Sequence, residues 1–182
     1  MIEFGDYVAC IVEGSAERAI IDVLLDNNFL CFGRDRLLDG ELIRTRSSKS
    51  FEERYLRKGF KGSITVLRVL DSRRERFTLR KEYEHKVNVI NVITAPEIEM
   101  LIILNENKYN DFKKSKKKPS DYCVCDLMIR DVKAYDFVKE YFSDVDTLLS
   151  SIKKYTEFSR IPKGEYCLLD LVDSEKIKSL RD

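Results

Sequence analysis

Tyr7-Val8-Ala9-Cys10-Ile11-Val12-Glu13-Gly14-Ser15-Ala16-Glu17-Arg18-Ala19-Ile20-Ile21 is the stretch on which the fold turns. The apolar run Tyr7 to Val12 has the continuous hydrophobicity of a strand buried on both faces. It delivers one carboxylate, Glu13, into a glycine turn at Gly14. Ser15 then stands as a helix cap, Glu17 falls in the first turn, and Ala16, Ala19, Ile20, Val23 and Leu24 recur at helical spacing to Asn27. A carboxylate at the end of a buried strand, beside a helix N-terminus, sits where open α/β sheets gather their ligands.

The same alternation continues outward. Residues 29–32 predict a short second strand, and Asp39-Gly40 a turn or hairpin. Residues 48–58 predict a helix closing at Gly59. Residues 63–70, Ser-Ile-Thr-Val-Leu-Arg-Val-Leu, predict the strongest strand, ending at Asp71. A charged helix is expected over 73–86, a β-branched strand over 87–94, and a helix opening at Glu97 and running towards Phe112. Helices are expected over 131–142 and 147–155, and a further strand or core segment over 166–172. The order β-α-β-α-β-α-β-α predicts an α/β fold with a mostly parallel sheet flanked by helices. Residues 1–125 would form that core, and 126–182 a small helical extension packed on it as one compact unit.

Composition narrows the function. The 182 residues are 43% hydrophobic and 36% charged, enough for a sizeable core and too apolar for disorder. A net charge of +1 gives no global field to attract nucleic acid, so any such binding must come from local patches. Five cysteines fit a reducing cytoplasm, and Cys123-x-Cys125 without two further ligands makes a poor zinc site. No apolar run is long enough for a membrane span, and the N-terminus lacks the pattern of a signal peptide. A single histidine, His85, leaves any catalysis to the carboxylates.

Three strand ends carry those carboxylates: Glu13, Asp71, and Glu97 with Glu99. In a parallel sheet they converge on one edge, where they suit Mg²⁺ or Mn²⁺, hard ions that share oxygen ligands with a phosphate. Each acid alone also reads as a helix cap.

The residues Val12-Glu13-Gly14 and Asp71-Ser72-Arg73 resemble motifs of the topoisomerase–primase (Toprim) family: a glutamate in a V-E-G turn, and an Asp-x-Asp at a later strand end. Ala95-Pro96-Glu97-Ile98-Glu99 resembles the acidic helix start of small Toprim-like proteins in bacterial phage-defence and abortive-infection systems, relatives of the overcoming-lysogenisation-defect nucleases. The resemblance covers residues 7–112. It implies a Mg²⁺- or Mn²⁺-dependent nuclease with Glu13 as general acid or base and metal contact, and Asp71, Glu97 and Glu99 as ligands. It also implies an antiviral role beside a protein partner such as an ATPase sensor. Arg73 replaces the second acid of Asp-x-Asp. It either holds the scissile phosphate or marks a degenerate domain that tethers or inhibits a partner. A phosphotransfer or nucleotide-hydrolysing enzyme on the same acids is a third reading.

Lys113, Lys114, Lys116, Lys117 and Lys118 form the densest basic patch, fit either for DNA or RNA backbone or for plain solvation. Arg80-x4-His85 has the spacing of a ribonuclease motif of all-helical domains, but the flanking strands argue against that fold. Tyr135, Phe137, Tyr141, Phe142, Tyr155 and Phe158 read as core or as a partner-facing surface.

Overall fold

The computed structural model describes residues 2–57, 59–95, 97–159 and 161–179. Strand β1, Tyr7–Val12, leads through Gly14 into helix α1, Ser15–Asp26. Helix α2, Ser48–Phe51, runs on as a wider π-turn over Glu52–Leu56. Strands β2, Ile64–Leu70, and β3, Val87–Ile93, complete a parallel sheet in the order β1-β2-β3. Cys10 stands opposite Leu67, and Leu67 opposite Ile90. All seven residues of β2 are buried, as expected for the central strand of a sheet covered on both faces.

Alternate side chains divide the core. Val8, Cys10, Val12, Leu67, Val69, Ile90 and Val92 face the larger cluster, with α1 and the later helices. Ala9, Ile11, Ile64, Val66 and Val87 face a smaller one, closed by Phe51, Leu56 and Leu79. Helix α3, Met100–Asn105, is buried along its first five residues, and α4, Tyr109–Ser115, and α5, Pro119–Cys125, follow. Then come α6, Tyr135–Tyr141, α7, Val145–Phe158, and α8, Ser174–Ser179. The fold is therefore α/β, a parallel sheet flanked by helices with a helical C-terminal part.

Helix α7 packs Leu148, Leu149, Ile152 and Tyr155 into the larger core, while Phe158 lies exposed and stacks on Tyr109 at 4.0 Å. Helix α6 is tied to α1 by polar contacts. The Tyr135 hydroxyl donates to buried Asp22 at 3.1 Å, and Lys139 pairs with Asp26 at 3.1 Å. Asp22 keeps its ion pair to Arg34 at 2.7 Å when that hydroxyl is removed. Tyr135→Phe should therefore cost about 1 kcal/mol and lower Tm by about 2–4 °C in a thermal melt.

Two expected elements are not formed, and the helix expected from Glu97 towards Phe112 is split into α3 and α4. Residues 73–86 form no helix: after Leu70 the chain runs irregularly to a set of turns before β3. Glu75, Phe77 and Leu79 turn inward at every second position, an extended period, and Phe77 and Leu79 join the smaller core. Residues 29–32 contribute one antiparallel bridge, Leu30 to Val172, instead of a strand. Residues 166–172 take the second of their two expected forms, a core segment, with Tyr166 bridging Val92 and a tight turn over Leu168–Leu171. The helix expected over 48–58 is described to Leu56, and Lys58 and Pro96 lie outside the described residues.

Candidate active site

The C-terminal ends of the strands frame a cleft of about 450 Å³. Glu13 leaves β1, Asp71 leaves β2, and Glu97 and Glu99 stand just before α3. All four line the cleft, so the acids anticipated from the strand ends are brought together. Glu17, from the first turn of α1, is a fifth. Its side chain lies against Gly14, where an added Cβ would meet the carboxylate and require it to shift. Glu17 also accepts from its own main-chain N–H, so the α1 N-terminus already has an internal acceptor.

Two cations come from loops. Arg46 Nη1 lies 2.9 Å from Glu13 Oε1, and its Nη2 donates to the Glu13 main-chain oxygen. Lys133 Nζ lies 3.2 Å from Glu99 Oε1 and 3.8 Å from Glu97 Oε2. Glu99 is buried, and Glu97 Oε2 is a buried oxygen without a hydrogen-bond partner among the described residues.

Two of the carboxylates, Glu13 and Glu17, have raised proton affinity. Burial, a hydrogen bond with Glu75 and the negative charges of Asp71 and Glu75 push the Glu13 carboxyl up to about 7. Glu17 is also pushed up, first by burial; its main-chain hydrogen bond and Lys133 oppose the rise, while Glu99 and Asp71 add to it. Burial works against the charged form of Lys133, but Glu99, Glu97 and Glu17 together raise its proton affinity.

Glu75 rests on Arg68, a mid-strand arginine of β2 whose side chain is 1% exposed. Arg68 Nη2 donates to Glu75 Oε2 at 2.9 Å and Nη1 to Asn91 Oδ1 at 3.4 Å, and the guanidinium lies 5.1 Å over the Phe77 ring. An ion pair between buried Arg68 and partly exposed Glu75 thus anchors the loop that brings Glu75 to Glu13. The sequence signal for it is a single charge in the middle of a strand that is otherwise apolar apart from Thr65.

Arg73 is not brought to the acids. Its Nε donates to both Glu165 oxygens, at 2.9 and 2.8 Å, and it lines a different cleft beside β3. The five lysines also lie off the acidic cleft. Lys113 and Lys114 close α4, Lys116 takes a left-handed conformation, Lys117 pairs with Asp126, and Lys118 precedes α5. His85 is exposed in a turn, and Arg80 is committed to Glu52 at 2.7 Å, so Arg80 and His85 share no helix.

As they stand, no three or more His, Cys, Asp or Glu side chains among the described residues are grouped to hold a metal ion. The donor chemistry nevertheless fits a hard cation: oxygen donors only, one of them orphaned in Glu97, with two of the acids already carrying cationic partners. Comparison with family models, curated proteins and solved structures gives no match to this chain.

Proposed function

We propose that the protein is a Mg²⁺- or Mn²⁺-dependent nuclease that cleaves phosphodiester bonds on a Toprim-like scaffold. The observation that carries this reading is the convergence of Glu13, Asp71, Glu97 and Glu99 on one cleft at the C-terminal edge of a parallel sheet. When bound there, the metal would neutralise phosphate charge and activate a water or the leaving oxygen. Asp71, Glu97 and Glu99 are the ligand candidates. Glu13, with its carboxyl near neutrality, is suited to give or take the proton. Arg46, half-exposed at the mouth, takes the phosphate-binding role that Arg73 is not positioned for. The 113–118 lysines would hold DNA or RNA backbone further from the chemistry.

No helix among the described residues is long and apolar enough to cross a membrane. The resemblance extends the reading to a cytoplasmic effector of anti-phage defence, acting with a partner such as an ATPase sensor. A catalytically degenerate binding module is the second reading, favoured by the salt bridges that Arg46 and Lys133 make with the acids. Incubating single-stranded and duplex DNA and RNA with the protein and Mn²⁺ separates the two. Cleavage lost in Asp71→Asn, with the fold intact by circular dichroism, supports the nuclease. Metal-independent binding without cleavage, equal in both proteins, supports the module.

A further inference from the structure

We propose that Lys133 is the resident counter-cation of the acidic cleft, and that a divalent cation binds by taking its place. The inference rests on the metal-dependent reading above and adds what sets the metal affinity. Glu99 is the most deeply buried carboxylate lining the cleft, its side chain 3% exposed, and a charge so placed needs a partner. Lys133 supplies it from a side chain that is itself 64% exposed. The ammonium therefore reaches inward on a flexible stem from solvent, and water is available to receive it on release.

Among the described residues lining the cleft, the two cations are not equivalent. Arg46 is held twice, by the side chain and the main-chain oxygen of Glu13. Lys133 makes one close contact, to Glu99 Oε1, and leaves the buried Glu97 Oε2 at 3.8 Å without a hydrogen bond. A single ammonium satisfies one of these carboxylates and only approaches the other. A dication at the same position could contact oxygens of both and bring twice the charge. Lys133 thus competes with the metal, and its displacement opens the site.

The test titrates the full chain with Mn²⁺ alone, followed by thermal unfolding and by calorimetry, in wild type and Lys133→Met. If Lys133 is seated nine-tenths of the time, its removal should tighten Mn²⁺ binding by about ten-fold. Metal-free Lys133→Met should also melt below wild type, because Glu99 is left buried without a cation, and the gap should close at saturating Mn²⁺. Lys133→Gln, which keeps a donor to Glu99 without the charge, should tighten binding in the same direction and serves if the methionine variant does not fold. Equal affinities in wild type and both variants would overturn the proposal and leave the metal reading standing. No Mn²⁺ binding by any of the three would remove the metal reading and this inference with it.

Discussion

Arg68→Ala is expected to destabilise the protein by about 3–5 kcal/mol, whereas Arg68→Met should cost about 1 kcal/mol or less. The difference comes from what surrounds the side chain. Arg68 is among the largest fully buried side chains and sits in the smaller core face of the central strand, under Phe77. Alanine leaves a cavity between the sheet and the loop that covers it, and the sheet cannot collapse to fill it. Methionine fills much of the same volume and removes a guanidinium whose Nε has no hydrogen-bond partner among the described residues. Glu75, partly exposed, can turn to solvent in either variant, so no buried charge is stranded. Urea denaturation measures the two costs. Equal losses would show that the ion pair, and not the volume, holds this face together. Both variants should release the loop, seen as faster amide exchange over residues 71–79, since both lose the anchor of Glu75.

That pair marks where sequence reading stops. Short-range patterns were legible: the doubly buried strand Tyr7–Val12, the glycine turn after it, and the helical spacing of Ala16, Ala19, Ile20, Val23 and Leu24. The parallel arrangement followed from them, and with it the meeting of Glu13, Asp71, Glu97 and Glu99, because strand C-termini share an edge. The charges of residues 73–86 suit an exposed helix, while the deciding signal is the two-residue spacing of Glu75, Phe77 and Leu79. Helix propensity there yields to burial of Phe77 and Leu79 and to the charge of Arg68 waiting in the sheet. Arg46 and Lys133 carry no local pattern at all. They lie in loops, and only the fold brings Arg46 to Glu13, 33 positions away. Arg73 was misplaced for the complementary reason: proximity to Asp71 in sequence says nothing of direction, and Glu165 claims the guanidinium from the other side.

The proton on Glu13 should be visible in stability as well as in chemistry. Its carboxyl titrates near 4.5 in the ordinary case and is pushed up to about 7 in the fold, by burial first and then by Glu75 and Asp71. Below 4.5 both folded and unfolded chains hold the proton, and the group contributes nothing. Between the two values the unfolded chain has released the proton and the folded chain still binds it, so raising the pH favours unfolding. Above 7 the full penalty is present: an ionised carboxylate held among others. Arg46 offsets part of it, though its side chain is 52% exposed and water screens the pair. The net loss should be roughly 1–3 kcal/mol across this window. Glu13→Gln imitates the protonated carboxyl at every pH and should not pay this cost. The variant and wild type should therefore have similar urea midpoints at pH 4.5, and the variant should become the more stable as the pH passes 7. Parallel stability curves for the two proteins would show that Glu13 ionises without strain, and would remove it as the group that exchanges a proton in the cleft. A gap that opens with pH would place the titrating carboxyl on Glu13 independently of any activity, with Glu75 as its immediate neighbour. Glu75→Gln should then narrow the gap, since it removes one of the two negative charges that raise the Glu13 carboxyl.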